Sequence, residues 1–276
     1  MQLFIKPQNS KMIKLKLKHL VAFGLLCSFS ANAQLTDIFR KKDRLDNLED
    51  FDTQKFSWGF YLAANNFDSK LVLDPHYGMN GQQSLITSKP GYSFGAGLIG
   101  KMRLNEYLDL RMEPGLHFTE REYTFNTQSN SQYAVTGTTQ YPPFTPITLT
   151  DIDKVKRVKS TYLDIPIMLE IHGDRWYNTR PYAAGGVNYL MNLQSNETST
   201  EDNSRNIFRS TTHNFGWTAE IGMQIYFSRF KLTPAIRGTF FMNNEIVADN
   251  PETPPYWAAG ISTMQTHAFM FVLKFE

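Results

Sequence analysis

The sequence predicts an all-β fold: an eight-stranded antiparallel up-and-down transmembrane β-barrel with long extracellular loops and short periplasmic turns. The first observation is the stretch 161–171, where aliphatic residues alternate with residues that include two acids. A period of two places the two sets on opposite faces of a strand. The second is a content of 21 Phe, 13 Tyr and 4 Trp in a chain with a mean hydropathy of −0.38. The third is an export signal. Together these features are typical of an outer-membrane barrel.

Residues 1–33 have the features of a secretory signal peptide. A basic region precedes the short apolar run 20–27, and Ala31 and Ala33 supply the small residues of a cleavage site. The apolar run is too short to span a membrane as a helix. A lipoprotein interpretation of Cys27 is the weaker alternative, because Leu26 stands where a small residue is expected.

The charge of the chain depends on this leader. Of the 28 basic side chains, five lysines lie in the leader, which contains none of the 26 acids, so 23 basic residues and a net charge of −3 remain after cleavage. The remaining charge therefore gives no reason to expect nucleic-acid binding. The only cysteine leaves with the leader. We therefore expect neither a disulfide nor a thiolate site.

Beyond the leader we expect a short periplasmic N-terminal segment, 34–55, and a barrel domain, 56–276. Eight segments alternate with a period of two: about 56–66, 91–103, 107–124, 161–171, 180–192, 214–227, 230–242 and 264–276. Long connections near 67–90, 125–157, 193–213 and 243–263 are separated by short ones near 104–106, 172–179 and 228–229. That alternation predicts long loops on the outer side of the membrane and short turns on the periplasmic side. Both termini would then be periplasmic. Pro166 is expected to mark a bulge or an inward-facing break in its strand.

Charged residues in the strands are expected to face the lumen, because an arginine facing lipid at mid-membrane costs about 2–4 kcal/mol. An eight-stranded barrel has room only for side chains or one small ligand. The sequence therefore favours a salt-bridged polar core that fills the barrel, and a conduit or a ligand site is the alternative. The residues expected in this core, with Lys274 as a further candidate, are Asp109, Arg111, Glu113, Asp164, Glu170, Glu220 and Arg237.

No catalytic, phosphate-binding or calcium-binding motif is present in the sequence. The histidines outside the leader occur singly, so we expect no metal site, no cofactor and no enzymatic activity. Aromatic residues in two proline-containing loops are candidate partner contacts, with packing inside the loops as the alternative. These residues are Tyr141, Phe144, Tyr256 and Trp257.

Five segments carry a family resemblance: 56–65, 162–169, 177–188, 230–237 and 275–276. The Tyr-Leu-x-Ile-Pro part of the second occurs throughout a wide class of eight-stranded barrels. The motifs Asn-x-Arg-Pro-Tyr…Gly-Gly-Val-Asn and Phe-Lys-Leu-x-Pro-x-Ile-Arg are more specific. With them the chain resembles the PorT/SprT family of Bacteroidetes outer-membrane proteins.

The resemblance implies a non-enzymatic component of the type IX secretion system, which exports proteins with C-terminal signals and supports gliding motility in some species. It implies outer-membrane lipid and other type IX components as partners, and it supplies no catalytic residues. The loops 125–157 and 243–263 match nothing in the family, so partner specificity stays open. The alternative is a generic small outer-membrane barrel whose external loops bind a ligand, a surface or an envelope partner.

Overall fold

A computed structural model describes residues 47–75, 78–80, 82–125, 154–200, 207–249 and 257–276. The predicted signal peptide and residues 34–46 lie outside this part of the chain, as do Tyr141, Phe144 and Tyr256. No helix within it is long and apolar enough to cross a membrane.

The described residues form one short 3-10 helix, Glu49–Thr53, and twelve strands. The strands are β1 (Phe56–Leu73), β2 (Met79–Asn80), β3 (Gln83–Ser84), β4 (Ile86–Lys89), β5 (Gly91–Arg103), β6 (Leu108–Met112), β7 (Gly115–Phe125), β8 (Val155–His172), β9 (Thr179–Asn192), β10 (His213–Tyr226), β11 (Lys231–Phe241) and β12 (Ile261–Phe275). β2 and β3 form a separate small hairpin.

The other ten strands form one antiparallel sheet that closes on itself, because β1 pairs with both β12 and β5. β6 and β7 keep a common register against β8 on either side of Pro114, so they are two halves of one continuous wall element. β4 and β5 both pair with β7 and are separated only by Pro90. The ten strands therefore make up the eight wall elements that the sequence predicts, two of which are interrupted by proline.

The strand bounds differ from the prediction mainly at one end of the barrel. The predicted loop 67–90 instead contains the last residues of β1 and all of β4, and β8 begins at Val155 rather than near 161. The sheet thus extends further at this end than the apolar alternation indicates.

The strands are tilted, as the pairing register shows. Following paired residues once around the sheet from Asn66 of β1 returns to Phe56 of the same strand, ten residues away. A stagger of this kind requires strands inclined to the barrel axis. The path passes through Phe269, Gly238, Ala219, Gly185, Leu169, Leu110 and Met102.

The outer face of the sheet is apolar and the inner face is polar, which is the reverse of the arrangement in a water-soluble protein. Large apolar side chains on the outside are 40–86% exposed, whereas charged and polar side chains point inward and are buried. An exposed apolar surface of this extent needs an apolar surrounding, and a closed sheet leaves no unpaired strand edge in it. The outward residues include Trp58, Phe94, Leu98, Ile167, Val187, Trp217, Ile221 and Phe271.

The barrel has two different ends. The short connections 104–107, 173–178 and 227–230 meet at one end, together with residues 47–55 and Glu276; we call this the turn end. The described parts of the longer connections meet at the opposite end, which we call the loop end. Buried aromatic residues cluster at the loop end, and the charged residues lie below them in the lumen.

Candidate functional site

The centre of the lumen holds three carboxylates and three cations in one network of ion pairs. All six side chains are buried, and their charges balance. Because buried charges are stable only when they are paired and hydrogen-bonded, this balance explains how so many charges can lie inside the barrel. The six residues are Glu113, Glu170, Glu220, Arg111, Arg237 and Lys274.

Glu220 and Glu113 each contact several cations of this network. Arg237 donates from Nε to Oε2 of Glu220 at 2.7 Å and also contacts Glu113. Lys274 donates from Nζ to Oε1 of Glu113 at 2.9 Å and also contacts Glu220. Arg111 contacts Glu113 and lies 3.5 Å from Oε1 of Glu220. The carboxylates are therefore shared between cations rather than paired singly.

The strand register brings these residues together. Glu220 and Arg237 are direct partners in the pairing of β10 with β11. Arg111 and Glu113 are two residues apart, so their side chains share the inner face. Glu170 arrives from β8 and is bonded by Arg111 and by the amide of Gln224.

Two other predicted lumen residues lie outside the central network. Asp109 is at the turn end, where Oδ2 is 3.2 Å from Nζ of Lys101 and 3.3 Å from Nε2 of His172. Asp164 is nearer the loop end, where it accepts a hydrogen bond from Nδ2 of Asn188 at 2.9 Å. All seven residues face the interior, and five of them meet in the central network.

The interior contains further polar residues that the sequence prediction did not include. Tyr182 donates to Oε1 of Glu220 at 2.7 Å, and Tyr61 lies 3.2 Å from Nε2 of His117. Their positions could have been inferred, because each is an even number of residues away from inward-facing residues of its own strand. Uncharged and aromatic residues occur on both faces of barrel strands, however. The odd or even position of such a residue therefore shows which face it is on only when a charged residue nearby in the same strand identifies the inward face.

The loop end is closed by a cluster of buried apolar side chains. Trp257 is 2% exposed; its ring lies 6.5 Å from that of Phe125, and Nζ of Lys156 lies 4.2 Å from the Trp257 ring centroid. Trp257 is therefore not an exposed partner contact, and the prediction for this residue is wrong. It packs inside the loop end, which was the alternative. The other members are Ile86, Tyr123, Val158, Phe208, Ile261 and Met264.

Arg121 lies directly below this cluster. It donates to Oγ of Ser69 and to the hydroxyl of Tyr162, both at 2.9 Å. Glu245, in the connection after β11, accepts hydrogen bonds from the Thr266 amide at 2.6 Å and from the Tyr162 hydroxyl at 3.3 Å. Burial raises the pKa of the Glu245 carboxyl above its usual range, because its effect outweighs that of the nearby Arg121, which lowers the pKa. These bonds join four strands beneath the loop end.

The turn end is closed by the chain itself. The segment 47–53, which contains the 3-10 helix, contacts the connections at this end, and the Asp52 carboxylate accepts hydrogen bonds from Arg180 at 3.0 Å and from the Tyr226 hydroxyl at 2.8 Å. The Phe51 ring lies 4.7 Å from Nζ of Lys231. Asn47 is bonded to the side chain of Asn178 and to the carbonyl of Tyr226. We call residues 47–53 the mouth segment.

In the ranges that the structure covers, no group of three or more His, Cys, Asp or Glu side chains could hold a metal ion. The His117–Asp164 approach of 3.8 Å is buried in the lumen, where neither side chain is exposed. The lumen is thus filled by side chains bonded to one another, between an aromatic cluster at one end and the mouth segment at the other.

A closed antiparallel barrel with an apolar exterior and a charged interior is an integral membrane protein of the β-barrel class. The chain belongs to the outer membrane protein beta-barrel domain family, whose family model matches residues 32–247. It is therefore an outer-membrane β-barrel. Among curated proteins, no sequence matches this chain.

Several solved outer-membrane proteins are similar in fold. OprG from Pseudomonas aeruginosa is 12% identical with a TM-score of 0.40, over 79% of this chain and 95% of OprG. The protease OmpT from Escherichia coli is 8% identical with a TM-score of 0.39, over 80% and 95%. The attachment invasion locus protein Ail of Yersinia pestis, solved with a heparin analogue, is 7% identical with a TM-score of 0.35, over 80% and 99%. At these TM-scores the similarities carry no argument about activity.

Proposed function

We propose that this protein is a non-enzymatic outer-membrane component of the type IX secretion system, needed for export of proteins with C-terminal signals and for gliding motility where the species glides. In this role the barrel is an anchor and a docking surface, and cargo takes another route through the membrane. Both termini are then periplasmic, with the turn end facing the periplasm and the loop end facing outward.

The observation that carries the docking role is the filled lumen. Arg111, Glu113, Glu220 and Arg237 occupy the centre of the barrel and are bonded to one another, so a polypeptide has no space there. Eight strands enclose room for side chains or one small ligand, which is too little for a polypeptide. A secretion component built in this way acts through its surfaces.

The type IX assignment is supported by the two motifs that carry the family resemblance. In the first, Asn178 and Arg180 hold the mouth segment and Tyr182 bonds Glu220. In the second, Lys231 contacts Phe51 and Arg237 joins the central network. Residues of both motifs that carry the resemblance thus contribute to the lumen network and to the closed turn end, which supports the proposal.

A deletion strain tests the proposal. The measured quantity is the fraction of a reporter with a type IX C-terminal signal that reaches the medium. We expect the reporter to stall in the periplasm, and export to return with the wild-type gene or with Arg157→Gln, a change on the outer wall where the side chain is 68% exposed. Unchanged export in the deletion strain would show that the type IX role is wrong for this protein.

The second candidate is a barrel whose external loops bind a ligand, a surface or an envelope partner. It is favoured by the long Ser-, Thr-, Gln- and Pro-rich stretch 126–153, which matches nothing in the resembling family. Deleting this stretch distinguishes the two functions. Loss of surface binding with intact export would support the second candidate, whereas loss of export would support the first.

A further inference from the structure

The turn end of the barrel carries cations that depend on the mouth segment for a carboxylate. Arg175 Nη1 lies 3.7 Å and Arg180 Nη2 lies 3.0 Å from the carboxylate of Asp52. In the described part of the chain, Asp52 supplies the one carboxylate within ion-pair distance of either guanidinium. Without the mouth segment, both guanidiniums would face the mouth with only neutral partners such as Gln224, Asn178 and the carbonyl of Tyr177.

The contacts to the segment combine charge, aromatic and backbone recognition. Phe51 places its ring beside Nζ of Lys231, and Asp52 follows it directly. A cation near the face of an aromatic ring is attracted by a cation–π interaction, which would be absent if the ring were replaced by an aliphatic side chain. Asn47, four residues before Phe51, is held at its backbone nitrogen by Asn178 and at its carbonyl by Arg175. These contacts define a ligand as a short peptide in which an acid follows an aromatic residue.

The interaction is also accessible to solvent. The Asp52 side chain is 18% exposed, the Arg175 side chain 17% and the Arg180 side chain 7%, whereas side chains of the central network are at most 2% exposed. Ion pairs that reach water are weakened by salt, whereas buried pairs are screened much less. The segment is therefore held by contacts that can exchange while the barrel stays folded.

We propose that the turn-end mouth is a binding site for a short peptide in which an aromatic residue is followed directly by an acid, and that the chain's own mouth segment is its resident, exchangeable ligand. Release of residues 47–53 then opens the turn end to a peptide of the same kind supplied by another chain. The proposal concerns the mouth itself and does not depend on a role in type IX secretion.

Hydrogen exchange of the full-length protein in detergent micelles tests the resident ligand. Asp52→Asn removes the charge that Arg175 and Arg180 contact. Because hydrogen bonds to charged groups are stronger than neutral ones, we expect this change to accelerate exchange of amides 47–54 about tenfold or more. Glu49→Gln removes an equal charge from an exposed position of the same segment. We expect this control to exchange within about twofold of the wild type.

Two further outcomes are decisive. Raising the salt concentration should accelerate exchange of residues 47–54 in the wild type and in Glu49→Gln, but not in Asp52→Asn. Exchange of this segment that is equal in all three proteins would overturn the proposal. Far-UV circular dichroism of each protein verifies that the barrel is intact.

A peptide in trans tests the binding site. A synthetic peptide of residues 47–54 is titrated against full-length Asp52→Asn protein, whose own segment competes weakly. We expect binding to this variant at least about tenfold tighter than to the wild type, whose mouth is filled. A peptide with Asp52→Asn should not bind, and one with Glu49→Gln should bind like the parent. Equal binding of the three peptides, or binding of none, would show that the mouth has no such specificity.

Discussion

Arg237 and Glu220 lie opposite each other on β11 and β10, and Nε of Arg237 donates to Oε2 of Glu220 at 2.7 Å. Both side chains are buried in the centre of the lumen. Burial removes hydration from both charges, and only good pairing offsets that cost. Since Glu220 also contacts Lys274 and Arg111, its loss would leave positive charges without a partner in the interior.

Replacing Glu220 with alanine should therefore destabilise the barrel strongly. Removing one partner of a buried ion pair typically costs about 3–5 kcal/mol. We expect a loss of this size in the free energy of unfolding, measured by urea titration in detergent micelles with tryptophan fluorescence as the signal.

Arg157→Gln is the matched control, because this change also breaks an ion pair. Arg157 lies 3.1 Å from Glu122, but on the outer wall with 68% of its side chain exposed. Exposed pairs contribute at most about 1 kcal/mol. Equal losses from Glu220→Ala and Arg157→Gln would contradict the view that the central network determines stability.

The purified protein should not conduct ions in a planar lipid bilayer. Arg111, Glu113 and Arg237 fill the lumen independently of the mouth segment, so a variant that lacks residues 47–54 should also remain closed. Single-channel recordings of both proteins test this prediction. Steady current steps in the wild type would contradict a filled lumen, and steps confined to the deletion variant would place the barrier at the turn end.

Much of the fold could be predicted because a strand has only two faces. Once Arg111 is excluded from lipid, the period of two assigns the inward side to Asp109 and Glu113 and the outward side to Leu110 and Met112. The ends of the strands were less predictable. In residues 67–73 of β1 the burial still alternates, but Phe67 points inward whereas Asp68 and Lys70 point outward, so the pattern of apolar residues outside and polar residues inside no longer marks the strand.

The residues of the central network could be placed in the lumen from the sequence, but their pairings could not. Whether Asp164 contacts Arg237 or Asn188 depends on the pairing register around the barrel, with its stagger of ten residues. The sequence of a single strand does not determine that register. The sequence left open whether Trp257 is buried or exposed, for a similar reason. Its cover comes from Lys156 and Phe125, which belong to two other elements of the chain.

Trp257→Ala should loosen the loop end without unfolding the barrel. The ring fills space against Phe125, and truncating a buried tryptophan costs about 3–5 kcal/mol where the surroundings cannot collapse. We expect faster hydrogen exchange at the start of β12, near Ile261. Trp176→Ala at the turn end, where the ring is 65% exposed, is the control and should leave exchange near Ile261 unchanged.

Two adjacent glycines of β9 should differ in how much a change to alanine destabilises the barrel. A methyl group on Gly186 would lie 1.9 Å from the carbonyl oxygen of Ile167, which is backbone and cannot rotate away. On Gly185 the nearest atom is the carbonyl oxygen of Thr218 at 3.7 Å, an ordinary contact. We expect Gly186→Ala to cost about 1–3 kcal/mol of unfolding free energy through overpacking. Gly185→Ala should change it by less than about 0.5 kcal/mol. Similar effects would mean that β8 and β9 are less closely packed.

Glu276 should make the turn end sensitive to acid. Burial alone would raise the pKa of this carboxyl, but Lys231, 2.8 Å away, together with Lys101 outweighs burial and lowers the pKa to about 2. A carboxyl whose folded pKa is depressed stabilises the protein above its unfolded pKa, about 4.5, and this contribution is lost as the pH falls toward 2.

Comparison of the wild type with Glu276→Gln isolates this contribution, because every other carboxyl titrates in both proteins. The shift corresponds to a difference of about 3 kcal/mol in unfolding free energy at pH 7. We expect the difference to shrink steadily between pH 5 and pH 2 in urea titrations in micelles. A difference that stays constant over this range would mean that Glu276 acts through its shape and backbone bonds to Lys231 rather than through its charge.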